Sequence, residues 1–327
     1  MARSRLPRLA FAHLPTPIEL LPRLSAAVGG PRLSVKRDDQ TGLALGGNKA
    51  RKLEFLLAEA QANGARTLIT TGAAQSNQCR QTAAAAARFG FDCILVLPGA
   101  APPAANGNLL LDHLLGAEVI WSGTEAAGDA MQRIFDEAWA AGRRPYRIPY
   151  GASSPVGAAG YIAAMFEFMD QAAAANVIIV ASSSGGTQAG MVAGARLAGF
   201  KGRVLGVSVD VPAGELQSRV AQLASESASV WGQPMKVTPE EVEVTDRYIG
   251  GGYGVLGELE REAIRLFART EGLLLDPVYT ARAAGGMIDL VRRGELKPGE
   301  QVLFWHTGGY PALFAYADQL ANPNPSF

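Results

Sequence analysis

A lysine beside two glycines is the residue of this sequence best suited to covalent chemistry. Gly46-Gly47 ends an extended stretch, and Asn48 predicts a helix start, because its side chain can accept a hydrogen bond from a first-turn amide. Lys49 would then lie at a helix N-terminus, where the helix dipole and partial burial both lower the pKa of its amine. A neutral amine is what Schiff-base chemistry needs. On this stretch alone, a solvated lysine in a first helical turn is the more frequent explanation.

A second stretch combines serines and glycines between an apolar strand and a helix. Its backbone amides and hydroxyls could converge on an anion at the positive end of the helix dipole, which predicts a phosphate site. A flexible turn is the alternative. The stretch is neither a dinucleotide fingerprint nor a nucleotide-triphosphate loop, because it has neither the three-glycine spacing nor a GK[ST] sequence. It runs from Ser182 to Gly190 and contains Ser184, Gly185, Gly186, Thr187 and Gln188.

Polar side chains also cluster where a helix follows the strand Thr67–Thr71. Ser76 is expected to be the N-cap of that helix. Together with Gln75, Asn77 and Gln78 it could also form a carboxylate site, since free amides lie at a helix N-terminus. Open α/β sheets bind ligands at the carboxyl ends of their strands, where this cluster is expected.

Two tyrosines lie in loops near the C-terminal third of the chain. Tyr253 is flanked by glycines, and Tyr279 precedes Thr280, which we expect to cap the next helix. His306-Thr307-Gly308-Gly309 follows the last strand and predicts another anion-binding turn. A loop tyrosine is usually a half-buried packing residue, so a catalytic use of Tyr253 and Tyr279 is one of two open interpretations.

The elements that must position these residues alternate along the chain. Strands and helices follow one another with short breaks, and the strand Val177–Ala181 is wholly apolar, as in parallel sheets covered by helices on both faces. The sequence therefore predicts an α/β protein. A length of 327 residues predicts two lobes or one large unit. Residues 1–30 are interpreted as a proline-rich wrapping arm, in which Pro15-Thr16-Pro17 predicts an extended path.

Composition excludes several classes of function. The 30 basic and 30 acidic residues balance, which gives no electrostatic reason to expect a nucleic acid or an anionic membrane as partner. No signal peptide or bilayer-spanning segment is recognised. Two cysteines are too few for a disulfide scaffold and fit a reducing cytoplasm. The three histidines are far apart, so no metal site is expected.

Four motifs in the same order resemble those of one enzyme family. The sequence is similar to the D-cysteine desulfhydrase and aminocyclopropane-carboxylate deaminase family, which uses pyridoxal 5'-phosphate (PLP) and has the tryptophan-synthase-β type of fold. The resemblance extends from Pro15 to Tyr316. The motifs are GGNKARKLE at 46–54, QSNQCRQTAA at 75–84, DPVYT at 276–280 and HTGG at 306–309.

The resemblance implies a role for each matching residue. Lys49 corresponds to the lysine that holds PLP as a Schiff base, and Asn77 to the asparagine beside the phenolic oxygen of PLP. Ser76 corresponds to a serine near the substrate carboxylate and the reacting carbon. The catalytic set implied is Lys49, Ser76, Tyr253 and Tyr279. The remaining implied contacts are Lys52, the loop 184–188, Thr280 and Thr307 with the cofactor, and Ser76, Asn77, Gln78, Thr307 and Gly308 with the substrate.

Two positions distinguish the branches of this family. The cyclopropane-opening deaminases have a glutamate facing the pyridine nitrogen, where this chain has Thr280, and a leucine where it has Thr307. A hydroxyl supplies no charge, so the ring is expected to be a weaker electron sink. Both differences favour β-elimination from D-cysteine, which gives pyruvate, hydrogen sulfide and ammonia.

Other functions stay open at this point. Release of sulfite from cysteate is compatible with the motifs, as is aminocyclopropane-carboxylate deamination, and a non-catalytic protein that binds PLP or an amino acid is the alternative outside enzymes. Gln78 stands where many desulfhydrases have histidine, and Tyr310 where they often have a small residue. Both residues could change the pocket for the leaving group.

The resemblance also implies an architecture and an assembly. Two open, twisted, mostly parallel sheets with helices on both faces are expected, with PLP between two domains. The large domain would comprise residues 1–49 and 159–327, and a small domain at 50–158 would be inserted into it. A cytoplasmic homodimer acting on a small amino acid is expected.

Overall fold

The computed structural model describes residues 6–321 and contains two separate β-sheets. The six-stranded sheet has the order β1-β2-β10-β7-β8-β9, and only β1 pairs antiparallel to its neighbour. The four-stranded sheet has the order β5-β4-β3-β6 and is parallel throughout. The strands are β1 (Ile18–Leu20), β2 (Arg32–Arg37), β3 (Thr67–Thr71), β4 (Asp92–Leu97), β5 (Glu118–Trp121), β6 (Pro145–Arg147), β7 (Val177–Ser182), β8 (Arg203–Ser208), β9 (Glu243–Thr245) and β10 (Gln301–His306).

Helices connect most of the parallel strands, because two parallel strands can be joined only by a crossover connection. The predicted α/β class with two mostly parallel sheets is therefore confirmed. The helices are α1 (Pro22–Val28), α2 (Lys49–Ala62), α3 (Asn77–Phe89), α4 (Gly107–Leu114), α5 (Ala127–Ala140), α6 (Pro155–Asp170), α7 (Gly186–Ala198), α8 (Ala213–Val230), α9 (Glu258–Glu271), α10 (Thr280–Arg292) and α11 (Ala317–Ala321).

Burial explains why the central strands are so apolar. Val177, Ile178, Ile179 and Val180 of β7 are fully buried, because helices pack on both faces of their sheet. Among residues 6–321, none of the helices has both the length and the apolar composition that crossing a membrane requires.

Two regions differ from the sequence-based expectation. The N-terminal arm contains regular structure that was not predicted, because β1 and α1 form between residues 18 and 28. The helix α8 was not predicted, although Leu216, Val220 and Ala224 recur along its buried face at helical spacing. Its many serines and alanines weaken the apolar pattern that identifies a helix.

The two sheets draw on different parts of the chain. All four strands of the smaller sheet lie between residues 67 and 147, whereas the larger sheet uses strands before residue 38 and after residue 176. This arrangement suits the expected insertion of one domain into another. The expected limits of that insertion, 50–158, stay a prediction.

A buried ionic cluster holds α2 against the larger sheet. The Arg51 guanidinium donates to both carboxylate oxygens of Asp38, at 2.7 and 2.8 Å, and to Glu167 at 2.8 Å. The Asp38 carboxylate also accepts hydrogen bonds from Tyr161 and Trp305. Because every charge in this cluster has an opposite partner, burial of Arg51 and Asp38 is tolerated.

Replacing Asp38 with asparagine is expected to destabilise the fold by about 3 kcal/mol or more, because it leaves the buried Arg51 without its main counter-charge. Urea unfolding of the purified variant measures this. The control is Glu137→Gln, which removes one carboxylate from the exposed pair Arg133–Glu137 and should leave the free energy of unfolding unchanged. Equal stability of the two variants would contradict the role assigned to the cluster.

Candidate active site

A cleft opens where the carboxyl ends of strands from both sheets face each other. It encloses about 600 Å³ of space, counted out to its open mouth. Residues just after β3, β6, β7 and β10 line it, together with the first residue of α2. The lining residues are Asn48, Lys49, Ser76, Asn77, Gln78, Tyr150, Gly151, Ala181, Ser182, Ser183, Ser184, Gly185, Thr187, Tyr279 and Thr307.

Two lysines lie one helical turn apart at the base of this cleft. The amines of Lys49 and Lys52 both donate to the carbonyl oxygen of Gly151, each at 3.1 Å. Neither amine forms an ion pair with a carboxylate in the described part of the chain. Burial lowers the pKa of Lys49 from 10.5 to about 8. Burial, and after it the charge of Lys49, lowers the pKa of Lys52 well below its ordinary value. Lys49 lines the cleft, so its amine is the accessible one.

The surroundings of these amines fit an anion. Helix α7 begins directly after the serine-glycine loop, and the amides of Thr187 and Gln188 in its first turn make no hydrogen bond to residues 6–321. Ser153 and Ser184 add hydroxyls, which lie 2.8 Å from each other. Two buried amines without carboxylates, beside a helix N-terminus, are the donors that a phosphate group requires. The residues present therefore fit the phosphate of PLP.

Asn48 does not cap α2 in the way the sequence predicts. Its backbone has helical dihedral angles, φ −58° and ψ −22°, and its side chain makes no hydrogen bond to the first turn. The side-chain amide instead donates to the hydroxyl of Thr187 at 3.0 Å. An N-cap residue typically has extended dihedral angles. Because the chain enters α2 through a left-handed turn at Gly46 and Gly47, Asn48 has helical angles instead. The Asn48 side chain thus ties the start of α2 to the start of α7.

Ser76 is the N-cap of α3, as predicted. Its hydroxyl accepts from the amide of Cys79 at 3.2 Å. Ser76, Asn77 and Gln78 all line the cleft. Gln75 does not line it, because its side chain binds the start of α4 through the amide of Asn108. Cys79 and Cys93 are free and buried.

The two loop tyrosines meet beside the cleft. Their hydroxyl oxygens are 2.6 Å apart, and their rings pack edge to face. Tyr279 lines the cleft and Tyr253 lies behind it. Burial raises the pKa of both Tyr253 and Tyr279, so both phenols keep their protons near neutral pH.

The expected cap of α10 by Thr280 is wrong. The Asp276 carboxylate accepts from the amides of Val278, Tyr279 and Thr280 and so satisfies the start of the helix. The Thr280 hydroxyl donates to the same carboxylate at 2.7 Å. Asp276 caps the helix in place of Thr280, because its longer, charged side chain reaches three amides at once. At the neighbouring turn, the Thr307 carbonyl accepts from the amide of Asn48 at 3.0 Å.

Six of the residues expected at the site do not line the cleft. Gln188 is turned away, and its side chain donates to the carbonyl of Glu243 between β8 and β9. Lys52 and Tyr253 contact cleft residues from behind. Their roles, and those of the others in this set, stay predictions. The six are Lys52, Gly186, Gln188, Tyr253, Thr280 and Gly308.

Sequence reasoning missed the segment after β6. Tyr150 and Gly151 line the cleft, and the Gly151 carbonyl is the shared acceptor of both lysines. Gly151 has φ +66°, which only glycine adopts without strain. A Pro-Tyr-Gly turn at the end of a strand was the available signal. Ser182 and Ser183 were part of the serine-glycine stretch but were not assigned a contact.

Comparisons with known proteins agree with this geometry. The sequence profile described as "Pyridoxal-phosphate dependent enzyme" matches residues 9–308. The D-cysteine desulfhydrases of Salmonella choleraesuis (strain SC-B67) and Salmonella typhimurium (strain LT2) are 42% and 41% identical to this chain. Each alignment covers 322 residues, 96% of this chain and 97% of the relative.

Two solved structures are similar as well. A crystal structure described as an ACC deaminase homologue has a TM-score of 0.90 and 39% identity, covering 97% of this chain and 96% of its own. A fungal L-serine ammonia-lyase from Rhizomucor miehei has a TM-score of 0.68 at 19% identity, covering 95% of this chain and 98% of its own, which shows a shared fold.

The lowered pKa of Lys49 predicts how the apoenzyme takes up PLP. The covalent step needs the neutral amine, so its rate constant should rise with pH and level off above about 8. At pH 7 it should be roughly a tenth of the plateau, because the neutral fraction falls about tenfold per pH unit below the pKa. Stopped-flow absorbance measures the rate, with a free lysine derivative as the reference amine. A rate constant that still rises at pH 10 would show that the pKa of Lys49 is not lowered.

Proposed function

The chain belongs to the family of pyridoxal-phosphate-dependent enzymes, and we propose that it catalyses β-elimination from D-cysteine, giving pyruvate, hydrogen sulfide and ammonia. Two relatives of nearly the same length that carry the name D-cysteine desulfhydrase support this proposal, at 41% and 42% identity. The observation that carries it within the molecule is the buried Lys49 amine, which lines the cleft with a pKa lowered to about 8.

The residues around the cleft are of the types that could hold PLP. Lys52, the amides at the start of α7 and the hydroxyl of Ser184 would bind the phosphate, and Lys49 would hold the aldehyde carbon. Thr280 and Thr307 are proposed to contact the ring. When bound, PLP supplies an electron-withdrawing ring that takes up the electron pair left when the α-proton of the amino acid departs.

Lys49 is proposed as the group that takes the α-proton. A neutral amine can accept that proton, and the carbonyl of Gly151 at 3.1 Å would stabilise the ammonium that results. Because the Lys52 amine donates to the same carbonyl, the ammonium lies close to a second basic group and is stabilised only in part. Its proton therefore remains available for a later step.

The start of α3 is proposed to bind the substrate carboxylate. Ser76, Asn77 and Gln78 line the cleft at the positive end of the helix dipole, where a carboxylate is favoured. Thr307 and Gly308 would close this site from the opposite loop. A carboxylate held there keeps the amino acid in one orientation toward Lys49.

The tyrosine pair is proposed to give a proton to the departing sulfur. Burial keeps both phenols protonated, and the 2.6 Å contact between the hydroxyls of Tyr253 and Tyr279 allows a proton given up by one to be replaced by the other. A sulfur atom that is protonated as it departs leaves as hydrogen sulfide, so the cleft does not have to release a negatively charged product.

Ring opening of aminocyclopropane-carboxylate is the second candidate, because the structure with a TM-score of 0.90 is described as an ACC deaminase homologue. Thr280 and Thr307, in place of glutamate and leucine, count against it. Release of sulfite from cysteate is a further alternative, and the substrate comparison below distinguishes all three.

We also propose the finer features of assembly and location. A homodimer follows from the family resemblance, and a cytoplasmic location agrees with two free, buried cysteines. The proposed domains are residues 1–49 with 159–327, and residues 50–158, each containing one of the two sheets.

The substrate comparison tests the proposed function. The purified enzyme is incubated with D-cysteine, L-cysteine, cysteate and aminocyclopropane-carboxylate, and pyruvate, 2-oxobutanoate, sulfide and sulfite are measured. D-cysteine should give the highest kcat/KM, with equal amounts of pyruvate and sulfide. Lys49→Ala should abolish both turnover and the visible absorbance of bound PLP, while the exposed Lys201→Ala should change neither. A higher kcat/KM for cysteate or for aminocyclopropane-carboxylate would show that D-cysteine is not the preferred substrate.

Tyr279→Phe is expected to lower kcat by about 10²-fold or more, because it removes a proton donor that acts in the reaction itself. The absorbance of bound PLP should stay unchanged, since the ring and its packing are kept. The matched control is Tyr146→Phe, which removes a hydroxyl bonded to Glu59 outside the cleft. Full activity of Tyr279→Phe would assign proton transfer to another group.

A further inference from the structure

We infer that Asn108 is a positioning residue that fixes the side-chain amide of Asn77 with its NH₂ group facing the cleft. Asn108 itself does not line the cleft and belongs to none of the sequence motifs. The inference rests on the use of PLP and on the proposed role of Asn77 beside its ring oxygen. It does not depend on which amino acid is the substrate.

Asn108 is the second residue of α4 and is fully buried. Its side-chain nitrogen donates two hydrogen bonds, to the carbonyl of Gln75 at 2.8 Å and to the amide oxygen of Asn77 at 2.9 Å. Its backbone amide donates to the side-chain oxygen of Gln75 at 2.8 Å. Through these three hydrogen bonds Asn108 joins the start of α4 to the segment that begins α3.

The chemistry of these contacts determines the orientation of both amides. A backbone carbonyl can only accept, so the Asn108 atom that faces Gln75 must be the nitrogen. The second hydrogen on that nitrogen points to Asn77, whose facing atom must therefore be the oxygen. The NH₂ group of Asn77 is therefore at the other end of the planar amide, away from Asn108, and Asn77 is a lining residue of the cleft.

Two further observations support a role for this orientation. The side-chain oxygen of Asn108 is buried and has no partner in the described part of the chain. This acceptor is unsatisfied, while both hydrogens of the Asn108 nitrogen form hydrogen bonds. The Asn77 nitrogen makes no hydrogen bond within residues 6–321. A Cβ at Gly309 would lie 2.6 Å from that nitrogen, so the facing turn leaves room for it only because residue 309 is glycine.

An NH₂ group held in this way selects an acceptor in the cleft. It donates to a negatively charged ring oxygen, whereas a flipped amide would place its own oxygen against that charge. Asn108 therefore determines whether the side chain of Asn77 attracts or repels the ring oxygen. Through this contact it affects the affinity for PLP.

The test compares Asn108→Asp with Asn108→Ala by fluorescence titration of each apoenzyme with PLP. The new carboxylate has nearly the shape of asparagine, but it accepts where Asn108 donates. Asn77 should then turn its nitrogen toward residue 108, which weakens PLP binding by about tenfold or more. The alanine variant leaves Asn77 free to take either orientation, which costs roughly twofold in affinity.

The order of the two variants separates positioning from packing. If Asn108 only fills space, alanine leaves a void and should be the more damaging change. The pH at which the absorbance of bound PLP changes should also rise in Asn108→Asp, because a donor to the ring oxygen favours its negative charge. The control is Asn106→Asp, which keeps the acceptor that Gln75 uses and should bind PLP normally.

A double-mutant cycle covers the case in which Asn108→Asp does not fold. The effect of Asn108→Ala on PLP affinity should vanish in an Asn77→Ala background, because both variants act through one amide. Wild-type affinity in a folded Asn108→Asp, a larger loss in Asn108→Ala, or an effect that persists without the Asn77 amide would each overturn the inference. Failure of D-cysteine turnover alone would contradict only the proposed function.

Discussion

The proposed chemistry of this molecule depends on two lysines, the partly buried Lys49 and the fully buried Lys52, that share one carbonyl oxygen. Lys49 and Lys52 lie on one face of α2, both within 3.1 Å of the Gly151 oxygen and without a carboxylate partner in the described chain. On the same helix, Arg51 has Asp38 and Glu167 as counter-charges. One face of α2 is thus neutralised and anchors the helix, and the other keeps an excess of positive charge. Such a site favours a neutral amine and a bound anion, which are the two features that PLP chemistry requires.

The fold brings the remaining groups to these lysines through strand ends and helix starts. The loops after β3, β7 and β10 supply Ser76, Ser184 and Thr307, and each lies at the carboxyl edge of a parallel sheet. Helices α3 and α7 point their N-termini into the cleft, so backbone amides add to the positive potential. The site is therefore built from main chain as much as from side chains.

Local patterns allowed much of this to be predicted from the sequence. The strand Thr67–Thr71, the cap at Ser76 and the position of Lys49 at a helix start follow from residues close in sequence, and the structure confirms them. Contacts between distant segments could not be predicted. Asn48 bonds Thr187, 139 residues away, and this contact replaces the expected local cap. The sequence Pro149-Tyr150-Gly151 indicates a turn, but a main-chain carbonyl has no side chain that marks it as an acceptor, so the role of the Gly151 carbonyl appears only in three dimensions.

Lys49, and not its neighbour Lys52, is proposed to be the amine joined to PLP. The most direct measurement is borohydride reduction of the purified holoenzyme, followed by digestion and mass spectrometry of the peptides. Because Lys49 lines the cleft while Lys52 lies behind it, the phosphopyridoxyl group is expected on Lys49 alone. A phosphopyridoxyl group on Lys52, or on a lysine outside the cleft, would show that Lys49 is not the amine that binds PLP.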